Sequence, residues 1–250
     1  MKKIMVTGGA GRFAQHIKNL TKDDENFQVL LPTRKEMNFE GFWDCEKYFY
    51  ANQKDFDYVI HSGGLSSPMR RHKENPTRSI KTNIVGTCNI AMMCERFDKK
   101  MIYISTNYVY PGLHGNQDEE HGLRPFNNYG WSKLGGECAV HHYIDKWLIL
   151  RACMNAVPFP HKKAFTDVIS SHMYADEAAK VTLQLLDEVG IINVGGEAQT
   201  VYDFVKPYEP EVGKISVKEI SDVEVNPNSS MNIDKMKRLL NDSTISHTES

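Results

Sequence analysis

A glycine-rich turn follows the first apolar run and most constrains how the chain folds. Residues 3–6 are mostly apolar, the stretch VTGGAGRFA overlaps their end, and residues 12–22 have a helical pattern. Gly8 and Gly11 permit a tight turn in which a pyrophosphate can approach the N-terminus of that helix. Ala14 replaces the last glycine of the usual fingerprint and is small enough for helix–strand packing. The turn therefore predicts a nucleotide-binding unit at the start of the chain.

Strand-like apolar runs then alternate with helical patterns. Strands are expected near 28–31, 58–61, 101–105, 147–150 and 191–194, and helices near 41–53, 78–97, 129–146 and 175–188. This alternation predicts an α/β fold with a doubly wound parallel (Rossmann) sheet. Residues 155–172 have a loop-like pattern. We therefore expect a Rossmann domain over 1–154, a small C-terminal substrate lobe over 155–240 interleaved with it, and a polar tail over 241–250.

Composition and charge argue against several classes of protein. The chain has 250 residues, 40% of them hydrophobic, and a net charge of -2, so nothing indicates binding to nucleic acid or a membrane surface. No apolar run approaches the roughly 20 residues of a membrane helix, and the start lacks the apolar stretch of a signal peptide. A cytoplasmic location is expected. Five scattered cysteines and ten histidines show no disulfide or zinc spacing, so no metal site is predicted.

Two basic residues follow the second predicted strand, and no acid stands between them and the strand. NAD-binding folds usually place Asp or Glu there to hold the ribose 2′-hydroxyl. Arg34 and Lys35 stand there instead, which favours a 2′-phosphate and therefore NADP(H), with NAD(H) as the alternative. Arg12 in the glycine turn would add a second contact. The other interpretation is that Arg34 and Lys35 are simply solvated.

Tyr129 and Lys133 are four residues apart on one face of a predicted helix. A free tyrosine has a pKa of about 10, and a nearby ammonium would lower it. Tyr129 is therefore expected to protonate a carbonyl oxygen as hydride arrives at the carbon. Thr106 ends a central strand, at the edge where open α/β sheets bind ligands, and its hydroxyl would hydrogen-bond the same oxygen. The alternative is a chance pair of surface residues.

Six stretches, taken in order, resemble the extended short-chain dehydrogenase/reductase superfamily: TGGAGRFA, VIHSGG, NIVGTCN, ISTNYVYPG, YGWSK and ILR. Within it, the chain is most similar to the sugar-nucleotide group that includes dTDP-4-dehydrorhamnose reductase, and TRKEMNF is also similar to GDP-fucose synthase. The resemblance is clear over residues 1–151. It is looser over residues 170–200 and 231–240. It implies an NADPH-dependent reductase of a keto group on a nucleotide sugar, with Thr106, Tyr129 and Lys133 as the catalytic residues.

The resemblance also implies a set of cofactor contacts. The pyrophosphate would be lined by Gly8, Gly11, Arg12 and Phe13. The adenine would be flanked by Asn38 and Phe39, and the ribose and phosphates would be bordered by His61, Ser62 and Gly63. Tyr129 and Lys133 would contact the nicotinamide end. Asn83 falls where the family has a helix asparagine near the active site.

Asn107 departs from the pattern of several related groups. The 4,6-dehydratases have an Asp-Glu pair after the threonine, GDP-fucose synthase has a cysteine nearby, and the rhamnose-pathway reductases usually have Asp. An amide transfers no proton in these ways, so Asn107 favours simple ketone reduction. Its side chain would hydrogen-bond a sugar hydroxyl.

The segment after Arg151 is shorter than the family's. Only 18 residues separate Arg151 from Ser170, where the family has a longer segment that helps to hold the nucleotide. The substrate is therefore expected to be a nucleotide sugar or a smaller keto compound, and Asn155 would reach one of its hydroxyls.

Two alternatives to a reductase stay open: a cofactor-binding regulatory subunit of a partner enzyme, and an epimerase with unrecognised acid/base residues.

The predicted helices 78–97 and 129–146 each have an apolar stripe. In the superfamily such helices often pair across a dimer, so a homodimer through them is expected. The other interpretation is that both stripes face the sheet.

Overall fold

A six-stranded parallel sheet forms the centre of the computed structural model, which describes residues 1–66, 68–142, 146–156, 158–220 and 225–246. In chain order the strands are β1 (Lys2–Thr7), β2 (Phe27–Leu30), β3 (Tyr58–His61), β4 (Lys100–Thr106), β5 (Trp147–Ala152), β6 (Met154–Asn155), β7 (Lys163–Phe165), β8 (Ile169–Ser170), β9 (Met173–Tyr174), β10 (Gly190–Val194), β11 (Gln199–Thr200), β12 (Gly213–Ile215) and β13 (Asn228–Ser229). The central order is β2-β1-β3-β4-β5-β10, with every neighbouring pair parallel. The predicted doubly wound sheet is confirmed.

Helices cover both faces of this sheet. They are α1 (Arg12–Thr21), α2 (Phe42–Asn52), α3 (Arg70–Glu74), α4 (Pro76–Ile80), α5 (Gly86–Arg96), α6 (Asn128–His142), α7 (Ala175–Gln184), α8 (Val201–Val205) and α9 (Asp234–Ser246). Successive residues of β1 pack into two different apolar clusters, one on each face of the sheet. Ile4 and Val6 pack with α1, and Met5 packs with α2 and α5. Both faces of the strands are therefore buried, which explains why they read as continuous apolar runs.

The strand order reverses between β1 and β3, because β2 lies on one side of β1 and β3 on the other. Ligands of open α/β sheets bind at such a switch point, outside the C-terminal ends of the strands. β1 ends at Thr7 and β3 at His61, paired in register. The glycine turn and the sequence after His61 therefore meet at the predicted ligand site.

The helix predicted over 78–97 is interrupted. It begins earlier, as α4, passes through a π-helical turn at Lys81–Val85 and continues as α5. The Gly86 amide donates to the Lys81 carbonyl, five residues back. Single π-turns of this kind often occur at functional sites. This one carries Asn83.

The predicted loop over 155–172 is only partly a loop. It contains β7 and β8, which pair with β12, β11 and β13 from the last third of the chain. Local sequence patterns carry no information about such distant pairing. A separate apolar cluster around Phe204 and Val205 packs beneath these strands.

The remaining predicted segments differ at their ends. The helix predicted over 129–146 is described as α6 to His142, and residues 143–145 lie outside the described residues. The helix predicted over 175–188 is α7, and it ends at Gln184. Of the predicted tail, 241–246 continue α9 and 247–250 lie outside the described residues. No helix in the described part of the chain is long and apolar enough to cross a membrane.

Candidate active site

The glycine turn forms a cradle at the switch point. Gly8 has a φ of 73°, which favours glycine, and a Cβ there would lie 2.8 Å from the Gly63 Cα. α1 begins at Arg12 without a side-chain cap, so its first amide groups are not occupied by a side chain of the turn. Uncapped amides at a helix N-terminus suit an anion. The residues present therefore fit a dinucleotide pyrophosphate.

The side chain of Phe13 packs against the core, so it would meet the pyrophosphate through its backbone. Arg12 is exposed beside the turn. Ser62 donates a hydrogen bond to the Thr7 carbonyl at 2.9 Å. The turn and the residues after β3 are therefore joined by direct contacts.

Phe39 occupies a gap that two glycines create. A Cβ on Gly63 would lie 2.6 Å from the Phe39 ring, and a Cβ on Gly86 would lie 2.5 Å from it. The ring also meets His61 edge-on, with centroids 5.3 Å apart. Neighbouring Asn38 is half-buried and accepts from the Glu40 amide at 3.4 Å. Phe39 and Asn38 thus lie beside the cradle, and their contact with an adenine stays a prediction.

His61 lies beneath the site. It is fully buried, with Nδ1 2.7 Å from the Thr7 hydroxyl and Nε2 3.1 Å from the Thr87 hydroxyl. Burial, then the positive charge of Lys133, lowers its pKa to about 3. Its neutral imidazole joins β1, β3 and α5 and supports the cradle from below.

We expect His61 to make the protein acid-sensitive. Its folded pKa lies below the unfolded value of about 6.5, so unfolding takes up a proton between these values and stability falls as pH decreases through that window. The slope from this group is about 1.4 kcal/mol per pH unit. Urea unfolding at several pH values from 7 to 4 would measure it. A His61→Asn variant should show a flatter slope, and an unchanged slope would contradict this assignment.

A charged cluster lies beyond Phe39. Glu40 accepts from Arg34 at 3.1 Å and from Arg78 at 3.0 Å through the same carboxylate oxygen, and from Thr82 at 2.9 Å through the other. No acid stands directly at the end of the second strand, but the chain folds Glu40 back to that place. Two guanidinium groups and one carboxylate therefore meet where a cofactor ribose is expected.

Thr106 and Tyr129 come together at the C-terminal end of β4. Burial raises the pKa of Tyr129 to about 12, and a hydrogen bond with the Thr106 side chain acts in the opposite direction. The expectation that Lys133 lowers this pKa is therefore wrong, because burial of the phenol outweighs other influences. The phenol stays protonated at neutral pH, which is the form that donates a proton.

Lys133 is held over the ring of Tyr103. Its Nζ lies 4.0 Å from the ring centroid, a cation–π distance. Burial lowers its pKa to about 7, although Glu137 acts to raise it. α6 approaches the sheet closely here, since a Cβ on Gly136 would lie 2.2 Å from the Tyr103 hydroxyl. The glycine therefore lets Lys133 lie directly above β4.

Asn107 has both ends of its amide engaged. Its Oδ1 accepts from Thr106 at 3.3 Å, and its Nδ2 donates to the Ser229 carbonyl at 3.2 Å. It ties β4 to the lobe, and its contact with a sugar hydroxyl stays a prediction. Asn155 lies in β6 and accepts from the Ala156 amide at 3.0 Å, and its substrate contact likewise stays a prediction.

Asn83 connects three parts of the site. Its Oδ1 accepts from the Leu65 amide at 2.7 Å, and its Nδ2 donates to the Leu65 carbonyl and the Ser132 hydroxyl, both at 2.8 Å. The π-turn thereby fixes the loop after β3 to α6.

Sequence reasoning missed His72, which packs against Tyr129 with ring centroids 5.1 Å apart. Its Nε2 donates to the Ser66 carbonyl at 2.8 Å, so Nδ1 accepts from the Ser79 hydroxyl at 2.7 Å. Its backbone carbonyl accepts from Asn128 at 3.3 Å. No local pattern marks this residue, because its neighbours come from distant segments.

A buried ion pair lies behind Lys133. The Glu137 carboxylate accepts from Arg151 Nη2 at 2.9 Å and from the Ser105 hydroxyl. Arg151 also donates to the Tyr110 hydroxyl at 2.9 Å. Both charged side chains are almost fully buried. Glu137 lies one helical turn after Lys133 on α6. This spacing is the sequence feature from which its position near Lys133 could have been predicted.

The family model of the RmlD substrate-binding domain matches residues 1–185. The chain belongs to this family. The curated proteins similar to this chain include dTDP-4-dehydrorhamnose reductase of Mycolicibacterium smegmatis, 29% identical over 143 residues (56% of this chain, 41% of the relative). Another is dTDP-D-glucose 4,6-dehydratase of Dictyostelium discoideum, 28% identical over 180 residues (59% and 41%). The chain thus spans less than half the length of these two curated relatives.

Solved structures show the same fold. The dTDP-4-dehydrorhamnose reductase of Bacillus anthracis, in complex with NADP, has a TM-score of 0.83 at 19% identity, covering 98% of this chain and 100% of that chain. The Bordetella bronchiseptica enzyme WbmG, in complex with NAD, has a TM-score of 0.72 at 17% identity, covering 94% and 86%. The RmlD-family chain therefore shares the overall fold of these two structures.

Proposed function

We propose that this protein reduces a keto group on a nucleotide sugar with NADPH. The observation that carries this is the meeting of Thr106 and Tyr129 at the end of β4, beside the glycine cradle at the ends of β1 and β3. Membership of the RmlD family and the NADP bound to the Bacillus anthracis reductase support it. The intact proton-donating pair favours an enzyme over a regulatory subunit.

Each catalytic side chain has a defined part in this proposal. The bound cofactor would supply hydride to the carbonyl carbon. Tyr129, protonated because its pKa is about 12, donates its proton to the carbonyl oxygen as charge develops there. Thr106 hydrogen-bonds the same oxygen. Lys133, whose pKa of about 7 lets it carry a charge near neutrality, would hold the nicotinamide end of the cofactor.

The activity is tested by mixing the protein with NADPH and a 4-keto-6-deoxy nucleotide sugar, and by following the NADPH absorbance. A panel that adds other keto nucleotide sugars and smaller ketones would define the substrate. We expect turnover with a nucleotide sugar. Absence of turnover across the panel, together with a stoichiometric partner protein, would instead support the regulatory-subunit alternative.

We infer that the cluster at Glu40 recognises the 2′-phosphate of NADP. Arg34 and Arg78 already share one anionic oxygen, and a phosphate would take the place of that carboxylate between them. A cavity of about 350 Å³ lies beside Arg78, lined also by Leu65, Arg71, Glu74 and Asn75.

An Arg78→Ala variant should bind NADP⁺ about 10–100-fold more weakly, since hydrogen bonds to charged groups contribute about 1.5–3 kcal/mol. Its affinity for NAD⁺ should stay unchanged. Glu40→Gln should act oppositely and tighten NADP⁺ binding, because it removes the competing anion. Calorimetric titration measures both, and Arg96→Ala is the control. Equal losses for both cofactors would contradict the assignment.

We also propose a homodimer through α4, α5 and α6. Ile80, Val85 and Met92 are exposed on one helical run, and Trp131 is exposed on α6. The two elements pack together where Ile84 meets Gly135. Exposed apolar side chains therefore lie on both of these packed elements.

Light scattering after size exclusion should give twice the mass of the chain. Trp131→Glu should shift this to a monomer, because it places charge among the exposed apolar side chains. Val189→Glu, which changes an exposed residue on a turn after α7, serves as the control. A wild-type monomer would reject the homodimer.

A further inference from the structure

We propose that His172 is a second catalytic group of this site, a base that exchanges the hydrogen on the carbon beside the keto group. The inference rests on the proposed function, because it needs the ketone to lie against Thr106 and Tyr129. It adds a carbon–hydrogen exchange activity that ketone reduction does not require.

His172 lies along the catalytic edge of the sheet. Thr106 pairs with Ala152 in the register of β4 and β5, and Cys153 follows Ala152 directly. The Met173 amide donates to the Cys153 carbonyl at 3.0 Å, which holds His172 beside Cys153. The imidazole is therefore next to the strand that neighbours Thr106, at the same C-terminal edge.

Tyr108 connects this imidazole region to the catalytic tyrosine. Its ring centroid is 6.0 Å from that of Tyr129. Burial, and then the nearby Cys153 thiol group, raises the pKa of Tyr108 to about 12. On its other side, His172 packs against Phe204 of the lobe, with centroids 5.5 Å apart. His172 therefore lies between Cys153 at the sheet edge and Phe204 of the lobe.

A chain of hydrogen bonds can orient the imidazole. Its Nδ1 lies 3.3 Å from Cys153 Sγ, which lies 3.1 Å from the Ser170 hydroxyl, which lies 3.0 Å from the Ser229 hydroxyl. If each group donates to the next, from Nδ1–H outward, Nε2 keeps its lone pair. Nε2 makes no hydrogen bond to the residues that the structure describes.

The imidazole of this pair is unprotonated near neutral pH. Burial lowers the pKa of His172 to about 4 and raises that of Cys153 to about 12. Both groups are therefore neutral near pH 7, and the imidazole can accept a proton. Cys153, which is almost completely buried, acts through His172 as a positioning residue.

The step is a reversible proton transfer without an oxidant or reductant. Nε2 of His172 takes the proton from the carbon beside the carbonyl, the C–H electron pair forms the C=C bond, and the carbonyl π pair moves to oxygen. Thr106 and Tyr129 donate hydrogen bonds to this enolate oxygen, as they would to the alkoxide of reduction. The protonated imidazole, which is partly accessible to solvent, exchanges its proton and returns a proton to carbon, which restores the ketone.

The experiment incubates the chain of 250 residues in D₂O with NADP⁺ and a 4-keto-6-deoxy nucleotide sugar, so that no hydride is available. Deuterium at the carbons beside the ketone is measured by NMR and mass spectrometry against a blank without protein. Reduction of the same compound with NADPH is measured in parallel. The variants are His172→Gln, with His161→Gln as the control on the exposed part of the same segment, and Cys153→Ser beside Cys153→Ala.

Wild-type protein should incorporate deuterium at least about 100-fold faster than His172→Gln, the usual scale of a positioned base, while His172→Gln still reduces the ketone. Cys153→Ser should preserve exchange better than Cys153→Ala, because a hydroxyl still accepts from Nδ1–H. Reduction with exchange at the blank rate, or undiminished exchange in His172→Gln, would overturn this inference alone. Failure of reduction and exchange together would overturn the proposed function, and the inference with it.

Discussion

Tyr129→Phe is expected to lower kcat for ketone reduction by about 10²–10⁴-fold, the range for loss of a positioned general acid. The variant removes only the hydroxyl that contacts Thr106 and keeps the ring that packs against His72. Cofactor affinity should change little, since the glycine cradle is untouched. Stopped-flow measurement of NADPH oxidation, with calorimetric titration of NADP⁺, separates the two quantities.

Tyr50→Phe is the matched control for this change, because Tyr50 is exposed on α2. It should leave kcat at the wild-type value. A Tyr129→Phe protein with wild-type kcat would show that another group protonates the carbonyl oxygen. Loss of NADP⁺ binding in that variant would show that the phenol serves the cofactor rather than the chemistry.

Arg151→Met should lower the free energy of unfolding by about 3–5 kcal/mol, the usual cost of breaking a buried ion pair. The variant leaves the Glu137 carboxylate buried without its charged partner, and the Tyr110 hydroxyl loses a donor. Urea unfolding at pH 7 measures the change. The double variant Glu137→Leu/Arg151→Met should recover much of the loss, because it removes both charges together.

Lys146→Met supplies the contrast for this prediction. Lys146 pairs with Asp98 on the surface, where solvent screens the interaction, so this variant should unfold much like the wild type. A small loss in Arg151→Met, comparable to that of Lys146→Met, would mean that water reaches Glu137. No recovery in the double variant would mean that Arg151 acts mainly through Tyr110.

The parts of the fold that depend on neighbouring residues were predictable from the sequence. Apolar runs identify strands buried on both faces, and the turn at Gly8 is local chemistry. The spacing of Tyr129 and Lys133 placed both on one helix, and Thr106 followed from the position where its strand ends. These predictions needed only the periods of strand and helix and the rule that ligands bind at the C-terminal edge.

The parts that depend on distant contacts were not predictable in this way. Glu40 reaches Arg34 only because the chain after β2 folds back. β8 forms only by pairing with β11 and β13. The pKa of Tyr129 depends on how deeply the phenol is buried, which a spacing of four residues does not report. In each case the missing quantity is a three-dimensional environment rather than a residue type.

The π-turn at Lys81–Val85 requires a fixed number of residues in this stretch, whatever those residues are. The bond from Gly86 to Lys81 encloses one residue more than an α-helical bond would. Deleting one residue would let the helix run regularly and would rotate Asn83 by about 100° around the axis. The amide would then leave Leu65 and Ser132, the two points that it joins. Insertions and deletions in this turn should therefore be more damaging than most substitutions, even though the shortened helix would be the more regular one.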